Sequence, residues 1–146
     1  MRLKTVVARA VEEFQKGSPE PLEKIVAEEP GSLRFLLGMT YRDDARLREA
    51  AARGIAIGSR SHPKLVQDLV RRLVWAMNDE SGTNALTAPE VLHILAREQP
   101  RLLLPMVPDL TRLAADPGLQ EKLQDTLKII AEQCPGEVGY RLTRSL

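Results

Sequence analysis

The chain has 146 residues, of which 43% are hydrophobic and 28% charged, with one cysteine and a formal net charge of +1. This composition argues against a disordered chain, a disulfide-stabilised scaffold and a strongly basic nucleic-acid-binding domain. No apolar run approaches the roughly 18 residues of a membrane-spanning helix, and the first residues lack a signal-peptide core. Strand-forming residues are scarce, since only 3% of the chain is aromatic. We therefore predict an all-α, cytoplasmic protein of one domain (1–146) without membrane association.

The first two helices are predicted from the spacing of their apolar residues and from the helix-breaking residues that separate them. An apolar stripe at i, i+3 and i+4 begins near the N-terminus and stops at Gly17. Ser18 and Pro19 are then suited to the N-cap and first position of a short helix that ends at Pro30. These two helices make up residues 1–31.

The next two helices are predicted from capping residues. Ser32 can cap a third helix that is apolar nearly all round, which indicates burial on several sides. Asp43 or Asp44 opens a fourth helix. Gly54 and Gly58 lie on its inner side, where small residues let a neighbouring backbone approach closely at a cost in helix propensity.

The longest predicted helix, the fifth, begins at Ser61 and continues to about Asn78. A polar loop, residues 79–87, follows it. Thr87 and Glu90 have the spacing of a capping box, which predicts that the sixth helix begins there and runs to about Gln99.

The last part of the chain contains two more predicted helices. The seventh spans about 102–115 and is interrupted by Pro105 and Pro108. Asp116, followed by a proline, is suited to the N-cap of the eighth. The tail from Pro135 has no clear period.

Eight helices with short connections favour antiparallel helix pairs. Three pairs look related to one another, because each combines a helix, a turn and a second helix with an Ala/Leu-rich inner face. They span residues 32–58, 61–99 and 101–134. The prediction is an α-α superhelix of about three helical hairpins.

The last pair carries a resemblance to a known repeat. The spacing of Pro108, Asp116 and Lys122 resembles the proline, aspartate and basic positions of HEAT repeats. Segment 43–58 is similar to the second helix of the shorter HEAT-like repeats of phycobilisome lyases. The resemblance implies a HEAT-like solenoid, in which Pro108 kinks a helix, Asp116 caps the next and Lys122 reaches the turn between them. Residues 1–31 would then form the N-terminal cap that a stack of repeats requires.

The candidate partner-binding face surrounds the only tryptophan. The block that begins at Trp75 and ends at Glu90 resembles a sequence recurring in a small family of bacterial HEAT-like proteins, a resemblance that implies no activity. Helical projection places Trp75 opposite the apolar stripe of its helix, with Arg71 one turn earlier. It could anchor a partner, or it could pack beneath the 79–87 loop or against the adjacent repeat. The predicted partner-binding residues are Trp75, Arg71, Asp79, Glu80 and Asn84.

A row of arginines supports an alternative function. Such a row could contact phosphates, as in the HEAT-like alkylpurine glycosylases that bind DNA, and a DNA-binding or repair protein is therefore the first alternative. The ordinary interpretation is that these arginines are solvated and interleaved with acidic residues. A nucleic-acid partner is the less favoured interpretation. The row, within residues 42–60, comprises Arg42, Arg46, Arg53 and Arg60.

The remaining polar residues give no clear sign of catalysis. The oxygen-rich loop 78–84 suggests a second alternative, a lyase-like or metal-dependent accessory enzyme, but its spacing matches no EF-hand. His93 projects away from the apolar face and is predicted to be exposed, His62 lies at a helix start, and Cys134 continues an apolar stripe. We predict no catalytic residues, no cofactor and no metal site.

The preferred function is a non-enzymatic protein-interaction or scaffold module that docks a protein partner on the Trp75 face. Charge is unevenly distributed: residues 31–78 carry nine basic and four acidic side chains, whereas residues 79–137 carry five and ten. Such a chain could orient an asymmetric partner or stack on itself, so a homo-oligomer stays open.

Overall fold

The computed structural model describes residues 2–78 and 84–144, without the side chains of residues 84–86 and 143–144. Within these ranges the fold is all-α, which confirms the predicted class, and no strand is present. The α-helices are α1 Leu3–Gln15, α2 Glu20–Glu28, α3 Ser32–Met39, α4 Ala45–Gly58, α5 Pro63–Asn78, α6 Asn84–Glu98, α7 Val107–Leu113, α8 Gln120–Gln133 and α9 Glu137–Arg144, with a 3₁₀ helix at Pro100–Met106.

The chain forms two compact units, Met1–Leu69 and Val70–Leu146, and their boundary falls within α5. None of the described helices is both long and apolar enough to cross a membrane. The superhelical arrangement of hairpins stays a prediction.

In the first unit, α1 packs on α2, α3 and α4, and α4 packs on α2 and α3. The core is built from the apolar stripes that these helices turn toward one another, which is why their 3.6-residue period is clear in the sequence. The fully buried large side chains of these four helices are Leu22, Leu33, Leu36 and Ile55.

Two glycines allow α4 to lie close to its neighbours. A Cβ atom on Gly58 would meet Leu33 Cδ2 at 2.7 Å, and one on Gly54 would meet Leu36 Cδ1 at 3.0 Å and Leu22 Cδ2 at 3.2 Å. The groups that approach Gly54 and Gly58 are therefore leucine side chains, and not the neighbouring backbone that the sequence predicted.

The helix starts of the first unit agree only partly with the predicted caps. Asp44 is the N-cap of α4, because its Oδ1 accepts hydrogen bonds from the backbone N–H groups of Arg46 and Leu47, at 3.0 and 3.2 Å. Ser18 and Ser32 are not caps: Pro19 precedes α2 and Ser32 is the first residue of α3. The Ser32 hydroxyl instead donates to the carbonyl of Glu29 at 2.6 Å, which stabilises the turn before α3.

In the second unit, α6 packs on α8 and on the 3₁₀ helix, while α7 packs on α8 and α9. The buried side chains that join these elements are mostly leucines. The fully buried large members of this group are Leu92, Leu95, Leu103, Leu110, Leu123 and Ile130.

The predicted start of the sixth helix is wrong. Helix α6 begins at Asn84, so Thr87 lies inside the helix and cannot cap it. Pro89 also lies within α6 and is buried. The polar residues before it suggested a longer loop, but residues 84–87 are helical. The rest of the predicted 79–87 loop, residues 79–83, lies outside the described residues.

The expected roles of Pro108 and Asp116 are also corrected. Pro108 lies in the first turn of α7, where a missing N–H leaves no hydrogen bond unmade, and so it kinks no helix. Asp116 Oδ1 accepts from the N–H of Gly118 at 2.9 Å and forms a turn, and α8 begins later, at Gln120. Pro108 therefore lies at a helix start and Asp116 in a turn, and neither has the role that the HEAT resemblance implied.

Two further elements depart from the prediction. The predicted seventh helix is divided into the 3₁₀ helix, which contains Pro105, and α7. The tail forms a helix, α9, after Gly136, whose φ of +83° suits glycine in a turn.

Candidate functional site

Trp75 lies on α5 with its side chain 62% exposed. The opposite side of the same helix is buried, with Val70, Leu73 and Val74 each at most 1% exposed. Trp75 is therefore not a core residue, and the helical projection that separated it from the apolar stripe is confirmed. The alternative that it packs beneath the 79–87 loop involves residues 79–83, which lie outside the described residues. An indole in this position presents a broad apolar surface to solvent.

The residues predicted to surround Trp75 are only partly described. Arg71 is exposed one helical turn before Trp75, and Arg72 and Asn78 on the same helix are exposed as well. Asp79 and Glu80 lie outside the described residues, and of Asn84 only the backbone, at the start of α6, is described. The candidate face that can be located thus consists of Arg71, Arg72, Trp75 and Asn78.

The four predicted arginines lie in the first unit, on α4 and immediately beside it. All four are exposed, in agreement with a solvated row. Two of them, Arg46 and Arg53, line one surface depression that Arg42 and Arg60 do not line. The nucleic-acid function assigned to Arg42, Arg46, Arg53 and Arg60 stays a prediction.

One aromatic contact in this region was not foreseen from the sequence. The guanidinium carbon of Arg53 lies 4.9 Å from the centre of the Phe14 ring, a cation–π contact between α4 and α1. Phe14 belongs to the apolar stripe of α1 but is only half-buried, because it lies near the end of that helix. The two residues are far apart in the chain, so no local pattern could have paired them.

His62 joins three helices at the start of α5. Its Nε2–H donates toward the carbonyls of Val26 and Ala27 at the end of α2, at 3.0 and 3.2 Å. Its backbone N–H donates to the Gly58 carbonyl at the end of α4 (2.9 Å), and its carbonyl accepts from the N–H of Val66 in α5 (3.1 Å). His62 thus forms hydrogen bonds with backbone groups at the ends of α2, α4 and α5, and its role is structural.

His93 is half-buried on α6, so its predicted exposure is wrong. Because α8 packs against α6, the ring loses part of its contact with water. Burial lowers the pKa of His93 below 6.5, and the positive charges of Lys122 and Arg97 lower it further, against the opposing effect of Asp125.

This shift predicts a pH dependence of stability. The unfolded chain binds a proton at His93 at a higher pH than the folded chain does, so stability is present above pH 6.5 and falls as the pH drops through the folded pKa. We expect an NMR titration of the two histidines to place the His93 pKa below 6.5. In urea unfolding between pH 7.5 and 5, the wild type should lose more stability than His93→Gln. Equal losses would contradict the assignment.

The other titratable candidates show no catalytic arrangement. Cys134 is a buried free thiol, as its stripe predicted. Over residues 2–78 and 84–144, no three histidine, cysteine or carboxylate side chains come together in a way that could hold a metal ion. Most of loop 78–84, the predicted centre of a metal-dependent or lyase-like enzyme, lies outside the described residues.

Comparison of the chain with protein-family models, with curated proteins and with solved structures finds no match in any of the three. The HEAT-like resemblance is therefore carried by the spacing of a few residues alone, and it implies no activity for the Trp75 face.

Proposed function

We propose that the protein is a non-enzymatic interaction module of the HEAT-like helical type, which binds a protein partner through the Trp75 face. The exposure of Trp75 is the observation that supports this proposal. Tryptophan and arginine are enriched among the residues that dominate binding energy at protein interfaces, and Arg71 and Arg72 lie one turn from the indole.

The physical basis of this proposal is that one side of α5 is buried and the other is exposed. The buried side already supplies the helix with its packing, so the exposed indole adds little to folding. Burying it against a partner would remove a large apolar surface from water while the backbone stays fixed by the core. The arginines can orient the approaching partner through their charge.

Site-specific crosslinking tests the proposal. A photoreactive amino acid is placed at position 75 in the tagged full chain, and covalent products formed in the native cells are identified by mass spectrometry. Position 140 is the matched control, because Tyr140 is the other strongly exposed aromatic side chain among the described residues, at 58%. We expect a discrete adduct from position 75 that position 140 does not form.

Measurements with the purified partner complete the test. Trp75→Ala should weaken binding by about 30-fold or more, the loss typical of a dominant interface residue. Tyr140→Ala should change the Kd less than about twofold. Far-UV circular dichroism of both variants should match the wild type. An unchanged Kd for Trp75→Ala contradicts the proposal, and so does unfolding of that variant, which would make the indole part of the core.

A further inference from the structure

A surface depression of about 140 Å³ lies between α1 and α4 in the first unit. Arginine, carboxylate, amide and aromatic side chains surround it, so it differs from a gap between apolar helices. Its lining residues are Phe14, Gln15, Arg46, Glu49, Ala50 and Arg53. A neighbouring depression at this helix pair shares Gln15 and Arg46 with it, and its other lining residues are Glu12, Lys16 and Asp44.

Two arginines frame the first depression. Arg46 and Arg53 lie seven residues, or nearly two helical turns, apart on α4, roughly 10 Å along the helix axis. Long side chains from these positions can reach a ligand lying between them. The contact of Arg53 with Phe14 restricts its guanidinium, so less conformational entropy is lost when it binds.

The charges of the lining favour an anion. Arg46 and Arg53 provide two positive charges against the single negative charge of Glu49. The neighbouring depression adds the positive charge of Lys16 and the negative charges of Glu12 and Asp44, so the excess of positive charge is confined to the first depression. Asp44 is also the N-cap of α4 and accepts the backbone N–H groups of Arg46 and Leu47. The first depression therefore has an excess of positive charge, with the Gln15 amide as a further hydrogen-bond donor.

We infer that this depression binds the phosphate group of a small ligand. A tetrahedral dianion can accept hydrogen bonds from guanidinium groups on two sides at once, whereas a monocarboxylate presents one edge. The volume fits one such group, and the rest of a larger ligand would extend past Gln15 toward the neighbouring depression. This site is independent of the Trp75 face, which belongs to the second unit.

Titration of the full chain with inorganic phosphate, followed by NMR of the arginine side chains at low ionic strength, tests the inference. Arg46→Ala and Arg53→Ala should each weaken binding about tenfold or more, as expected when hydrogen bonds to a charged group are removed. Arg42→Ala and Arg60→Ala are matched controls, because these arginines are also exposed but do not line the depression. Both controls should change the Kd less than about twofold. Glu49→Gln should strengthen binding, since it removes the opposing charge.

Further probes identify the source of the phosphate group. O-phosphoserine, adenosine monophosphate and inorganic phosphate are compared, and the tightest of them assigns a phosphorylated side chain, a nucleotide or free phosphate. Arg46→Ala keeps the test decisive even if Arg53→Ala loosens the packing of Phe14, because Arg46 is exposed on its helix.

Three results would overturn the inference. One is the absence of any phosphate-dependent shift, and another is an equal effect of chloride at the same ionic strength. The third is an equal weakening by all four arginine variants, together with tight, steeply salt-dependent binding of duplex DNA. That result would assign the whole arginine row to a nucleic-acid surface.

Discussion

Leu33→Ala is expected to lower the free energy of unfolding by about 2–5 kcal/mol, the range observed when a buried leucine is truncated and a cavity remains. Leu33 is fully buried on α3, and its Cδ2 methyl lies against the backbone of α4 at Gly58. The surrounding helices are held on several sides, so the space left by the side chain cannot close fully.

Urea unfolding followed by far-UV circular dichroism measures this loss. Leu65→Ala is the control, because Leu65 is also a leucine of the first unit but is 36% exposed. It should cost less than about 1 kcal/mol, since little apolar surface is lost and no cavity forms. Similar losses for the two variants would mean that Leu33 does not lie in the core.

Gly58→Ala is expected to be less stable than Gly38→Ala by about 1–3 kcal/mol, the cost of adding a methyl group to a closely packed site. A Cβ atom on Gly58 would lie 2.7 Å from Leu33 Cδ2, whereas one on Gly38 meets nothing within 4 Å. Both glycines are helical, so the gain in helix propensity is common to the two variants and largely cancels in the comparison. Thermal and urea unfolding measure the difference.

A double-mutant cycle isolates the cause of this effect. If the clash with Leu33 is responsible, Gly58→Ala should cost less in a Leu33→Ala background, because the methyl group that it meets is absent. Additive effects of the two substitutions would place the strain at Gly58 elsewhere.

The sequence predicted those parts of the fold that depend on neighbouring residues. Asp44 was found because an N-cap carboxylate bonds to N–H groups two and three positions later, which is a local pattern. Thr87 had an equally good local pattern, but the backbone was already helical from Asn84. Turn-forming residues such as Asp116 suit both a cap and a turn, and only the surrounding packing decides between them.

The candidate sites also differ in how far the sequence could predict them. The projection of one helix was enough to place Trp75 on the side away from the core. The pairing of Phe14 with Arg53 depends on how α1 and α4 lie against each other, which no period within either helix determines. The burial of His93 likewise depends on α8, a separate part of the chain.

The position of His62 has a consequence for changes in chain length. Residues 59–62 form a short connection between α4 and α5. Within it, the imidazole and the main chain of His62 form hydrogen bonds with α2, α4 and α5. Inserting or deleting a single residue between Gly58 and Pro63 would displace all of these bonds together. Related sequences that vary in length should therefore keep this connection constant and place their insertions elsewhere.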